Sequence, residues 1–146
     1  MRLLAWVVVA ATVAVAEPPK DQPVSATQDV VDKLDKAIAP LVAEARKTWP
    51  DAKKRWQKGL PKGHVLFVTV RLHEGDAFEQ CFLRVKKVEN GDITGTVANE
   101  IGRLKKVKEG DLATAKEAEL YDWTIAKPDG TEEGNVVGKF LDTWKP

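Results

Sequence analysis

The sequence predicts an α+β domain, with N-terminal kinked helices packed on a mostly antiparallel sheet of about five strands. Three observations carry this expectation. Apolar residues recur at steps of three and four between Val30 and Trp56. The period falls to two at Val65. Turn signals then punctuate the chain at Glu74-Gly75-Asp76, Asn90-Gly91, Glu109-Gly110-Asp111 and Pro128-Asp129-Gly130. A helical run followed by hairpin-linked strands is the pattern of a segregated α+β domain.

The chain opens with Arg2 and an apolar run, Leu3 to Ala16, that ends Ala14-Val15-Ala16. A positive start, a short apolar stretch and a small-x-small end form a secretory signal. The run is shorter than the roughly 20 residues that span a bilayer. Residues 1–16 therefore read as a signal peptide cleaved between Ala16 and Glu17, which predicts a secreted or periplasmic protein with no stable membrane anchor afterwards. Residues 17–24, with three prolines and no apolar period, read as a linker. Residues 25–146 form a single domain, a size suited to one core.

Ser25-Ala26-Thr27-Gln28 fits a capping box at a helix start. Val30, Leu34, Ile38, Leu41, Ala45, Trp49, Ala52 and Trp56 follow on one helix face. Pro40 and Pro50 interrupt that face pattern. Each lacks an amide proton and crowds the preceding turn, which predicts two or three kinked segments ending near Gly59-Leu60-Pro61. Leu66, Val68, Val70 and Leu72 then alternate on a first strand. Phe78 to Val88 forms a second. Asn90-Gly91 tolerates the positive φ of a tight hairpin and leads into Ile93 to Asn99. Leu112 to Lys116 is a fourth strand, and Tyr121, Trp123 and Ile125 alternate on a fifth. Gly134 to Leu141 fits either a last strand or a short helix.

Charge excludes some function classes. The 23 Lys and Arg lose Arg2 with the signal, leaving 22 against 22 Asp and Glu. A neutral mature chain has no global field for nucleic acid or anionic lipid. Cys81, beside Phe82 and Leu83, reads as a small buried hydrophobe. His64 and His73 bracket the first strand about 30 Å apart, too far to share a metal. With one Cys and two His in the chain, neither a metal site nor a cofactor is expected. Phosphate-loop and nucleophile-elbow motifs are absent.

Five residues remain as candidates for a site: Glu79, Asn99, Glu100, Asp122 and Trp123. Asn99-Glu100 could orient a substrate and act as a base. Alternatively Asn99 latches nearby backbone while Glu100 pairs with Lys105 or Lys106. Glu79 shares a strand face with Cys81 and Leu83. Burial there would raise its pKa; otherwise it pairs with Arg71 or Arg84. Trp123 supplies core area and its indole proton needs an acceptor. Asp122 serves either a site or a loop cap, and Asp111 after Gly110 is a turn residue. From Arg46 to Lys62 seven basic residues surround Trp49 and Trp56. They read as a solvated helix face with the tryptophans in the core, or as a patch for an acidic partner.

An ordered series runs through these positions: Ala45-Arg46-Lys47-Thr48, Val68-Thr69-Val70, Glu79 with Phe82, Gly95 to Glu100, Gly110-Asp111, Asp122-Trp123 and a terminal glycine strand. It resembles the YegJ-like domain of unknown function family, number twenty-three fourteen, over roughly Leu41 to Leu141. The resemblance implies a small α+β domain and brings no established activity. Gln80, Phe82 and Ile101 stand where that family often carries His, Trp and Pro. The functional expectation is a secreted or periplasmic, non-enzymatic binding or accessory module whose partner is a secreted or envelope protein. Its binding surface would be the loop around Asn99 and Glu100 with Asp122. The rival is a hydrolase using Glu79, Glu100 or Asp122 as a carboxylate pair. An accessory role beside another secreted or toxin-like protein is the third reading.

Overall fold

The computed structural model describes residues 14–20 and 27–146. The signal segment up to residue 13 and Ser25 of the expected capping box lie outside the described residues. Gln28 bonds Asp32 Oδ1 at 2.8 Å, one turn onward along the helix.

One helix, α1, runs unbroken from Gln28 to Lys58. This corrects the expectation of two or three separate segments. Pro40 and Pro50 both sit inside α1, and both are exposed. The carbonyls they leave unpaired, on Lys36 and Arg46, can be met by water, while the opposite face stays anchored. That face buries Leu34, Ile38, Val42, Ala45, Trp49 and Ala52. Trp56 is half-buried on the same core. The helix stops where the chain requires φ of +101° at Gly59, which glycine adopts readily.

Six antiparallel strands follow: β1 (Val65–Glu74), β2 (Ala77–Glu89), β3 (Asp92–Val97), β4 (Leu112–Lys116), β5 (Asp122–Ala126) and β6 (Glu132–Gly134). Their order in the sheet is β4-β3-β2-β1-β5-β6. The sequence expectation of about five strands missed β6. At three residues, it is too short to show a period of two. The ambiguous last segment resolves as a turn of helix, α2 (Val136–Leu141).

The sheet curls. Residues 117–121 carry the chain from edge strand β4 to β5, four positions away, partly as a 3-10 turn at Glu117–Glu119. Four strand spacings in a flat sheet measure about 19 Å, more than this partly helical link spans. Strands β1 and β4 accordingly approach one another. Inside the curl lie Leu66, Val68, Cys81, Leu83, Ile93 and Ile125, with Trp49 and Ala52 of α1. Cys81 is buried as expected of a small hydrophobe. Strand β1 is buried on its other face too: Phe67 and Thr69 are covered. Ala16 contributes to that cover, packing with Val65, Phe67 and Ala126 and donating its amide to Gly63 O at 3.0 Å. Pro19 is also buried. Among the described residues no helix is long and apolar enough to cross a membrane.

Candidate functional site

Asn99, just past the end of β3, is buried. Its Oδ1 accepts the Phe82 amide at 2.8 Å, and its Nδ2 donates to Glu100 O at 3.1 Å. It therefore ties the start of the β3–β4 loop to β2, as a latch does. Glu100 takes no part in this through its side chain. It is exposed and makes no ion pair with Lys105 or Lys106, contrary to expectation. Those two residues offer main-chain amides instead, to Glu74 Oε2 at 2.9 Å and Oε1 at 2.7 Å.

Glu79 completes the latch. Its carboxylate accepts the amides of Gly102 at 2.9 Å, Arg103 at 2.8 Å and Leu104 at 3.2 Å. The expected partners are engaged elsewhere or absent from its shell: Arg71 pairs with Asp35 of α1. The rise expected of a fully buried acid does not occur at this partly buried position. Partial burial pushes the carboxyl up, but the three amides together outweigh it and hold Glu79 below the usual range. Sequence reasoning missed Glu74 because it stands in a turn signal, where an acid is ordinary.

Asp122 behaves differently. It is fully buried. Its Oδ2 accepts the Val137 amide at 2.7 Å, inside the first turn of α2, and its Oδ1 accepts the Trp123 amide at 2.9 Å. Burial pushes its pKa up to about 6, against the pull of the Val137, Trp123 and Gly138 amides. Asp122 and Glu79 cannot work as a pair. Across β1, Glu79 is opposite Leu72 and Asp122 is opposite Thr69. Residues 69 and 72 differ by an odd number, so the two carboxylates leave opposite faces of the sheet. Their Cα atoms are about 14 Å apart by strand rise and spacing.

What the structure does bring together is a cleft between α1, β5 and α2. It has a volume of about 260 Å³ and is lined by Glu44, Ala45 and Thr48 of α1, Asp122, Trp123, Gly134, Val136 and Lys139. The Trp123 indole finds its acceptor here: Nε1 donates to Thr48 Oγ1 at 2.9 Å. Gly134, at φ +74°, lies against the ring. A Cβ there would stand 2.8 Å from Trp123 Cε3 and 2.3 Å from Trp123 O, so only glycine lets β6 approach so closely. Lys139 Nζ donates to Gly134 O at 2.9 Å. Trp123 was visible as a candidate in the sequence. Thr48, Glu44 and Lys139 were not, because contacts between residues 75 apart, such as Thr48 and Trp123, leave no periodic signal.

The basic stretch divides. Arg46 donates to Leu120 O at 2.8 Å, Lys53 pairs with Glu117 at 2.7 Å and Arg55 with Glu133 at 2.6 Å. Trp49 Nε1 joins Lys53 on Glu117 at 2.9 Å. Arg55 and Lys127 hold the Glu133 carboxyl down at about 2. These contacts staple α1 to the sheet side. Lys47, Lys54, Lys58 and Lys62 remain exposed.

The chain belongs to the family described as uncharacterized protein conserved in bacteria (DUF2314), which matches residues 35–143. The match agrees with the resemblance read from the residues and extends it at both ends. No curated protein and no solved structure gives a significant match.

Proposed function

We propose that this member of an uncharacterised bacterial family is an exported, non-enzymatic binding module that takes its ligand in the Trp123 cleft. One observation carries the reading. Glu79 and Asp122 are each committed to main-chain amides, whereas Trp123 is hydrogen-bonded to Thr48 and half-exposed beside open space. Aromatic surface in a cleft beside a few polar groups is a feature of recognition. A hydrolytic carboxylate pair needs its groups about 5–10 Å apart around one bond, and this pair projects from opposite faces. Glu100, the third acid of the hydrolase reading, is an exposed residue on the loop.

Export is supported by Arg2, the apolar run and Ala14-Val15-Ala16. Cleavage after Ala16 gives a mature chain starting at Glu17 and removes Ala16 from its place over Phe67. Mass spectrometry of the exported protein tests this, and an intact Met1 overturns it. The binding reading is tested by capture from the envelope fraction with the mature chain and with Glu44→Ala and Lys139→Ala, both at exposed positions. A partner or ligand held by the parent and lost by the variants is expected. Retention that ignores the cleft overturns the reading.

A further inference from the structure

We propose that the Trp123 cleft is a saccharide site, an inference that rests on the binding reading above. The chemistry of the walls selects this ligand class. Trp123 offers apolar ring surface whose orientation is set before a ligand arrives. Thr48 holds its Nε1, and Gly134 stands against Cε3 and Cζ3. An aromatic group fixed in advance loses no rotamer freedom on binding.

The polar lining then narrows the class. Glu44 supplies a carboxylate on an exposed turn of α1, and Lys139 an ammonium on α2. Lys139 spends one donor on Gly134 O and keeps others, since an ammonium has three. Asp122 adds no free oxygen, because its carboxylate is turned into the amides of Val137 and Trp123. Thr48 already accepts from the indole, and its hydroxyl lies within donating distance of Glu44 O and Ala45 O. One accessible acid and one accessible base sum to no net charge. A phosphate or acidic peptide would meet Glu44, a cationic side chain would meet Lys139, and an acyl chain would meet both. A neutral ligand with an apolar C–H face and a rim of hydroxyls satisfies all three walls. Its C–H face lies on the indole, and its hydroxyls donate to Glu44 and accept from Lys139. That ligand is a pyranose, and a cleft of about 260 Å³ limits the contact to about a single sugar ring, so affinity is modest. No bond is made or broken.

The test is titration of the exported, mature protein with neutral hexasaccharides of β-1,4-glucose, α-1,4-glucose and β-1,4-N-acetylglucosamine. Tryptophan fluorescence and ligand-observed NMR are the readouts. Saturable binding of at least one sugar is expected, at least tenfold weaker in Trp123→Ala and about threefold or more weaker in Glu44→Ala and Lys139→Ala. The last two positions are exposed, so their melting temperatures should match the parent even where Trp123→Ala fails to fold. Absence of saturable binding to all three sugars, or binding indifferent to Glu44→Ala and Lys139→Ala, overturns the saccharide assignment. If the sugars fail while envelope capture still depends on Glu44 and Lys139, only the ligand class falls. If capture also ignores both residues, the binding reading falls with it.

Discussion

Two regions of this molecule use the same device and obtain opposite electrostatics from it. At the β3–β4 loop, Glu79 and Glu74 hold five main-chain amides between them. At the start of α2, Asp122 holds the amides of Val137 and Trp123. In the first region water still reaches the carboxylates, the amides dominate, and the acids titrate below their usual range. In the second the carboxyl is shut in, and burial lifts it to about 6 despite its amides. A carboxylate–amide cap is therefore inexpensive at a rim and costly in a core. The costly one underlies the cleft: it seats α2, which supplies Val136 and Lys139 to the same wall as Trp123.

The sharpest way to break the comparison is Asp122→Ala. It strips a charged acceptor from two amides, one of them inside the fold, and should cost roughly 3 kcal/mol. Denaturant midpoints measure it, and a loss under about 0.5 kcal/mol would mean that α2 is seated by other contacts. Asn99→Ala comes next. It leaves the Phe82 amide without its acceptor and should cost roughly 1–2 kcal/mol, without altering the Trp123 cleft.

The pH dependence sharpens the contrast, because the two regions have opposite signs. The folded pKa of Asp122, about 6, lies above its ordinary 3.8. Its contribution is full below that ordinary value and is lost as pH rises through the folded one. Glu79 is depressed below its ordinary 4.5. Its contribution is present above that value and is lost as pH falls below it. Melting temperatures of Glu79→Gln against the parent should show a smaller acid-side loss in the variant, and Asp122→Ala should flatten the fall between about pH 4 and 6. Identical profiles for all three chains would remove both assignments. The smallest effect is expected for Glu100→Gln, within about 0.5 kcal/mol, as for an exposed residue away from a network. A larger shift in the denaturant midpoint would show that Glu100 has a partner in solution.

The fold class was legible in the sequence because periodicity and turns are local. The apolar stripe from Leu34 to Ala52 defined the buried face of α1, and Asn90-Gly91 marked the β2–β3 hairpin, with Asn90 at φ +52°. The prolines misled for a physical reason. Their local penalty is real, but a helix anchored along one face can carry them on the other. The site was only partly legible. Asp122-Trp123 and Asn99 stood out as polar residues at strand ends. Their roles were decided by what the fold placed opposite them: Val137 for Asp122, Phe82 for Asn99 and Thr48 for Trp123. Glu79 and Asp122 look interchangeable in one dimension, as acids on strands of alternating pattern. Registers across β1 put them on opposite faces, and burial set the direction of each pKa. The sequence by itself determined the fold class, the buried face of α1 and strands β1 to β5, since those follow from local spacing and turn chemistry. Only the tertiary structure decided which carboxylates are capped, which tryptophan faces open space, and where a ligand could sit. Those properties depend on burial and on partners distant in the chain.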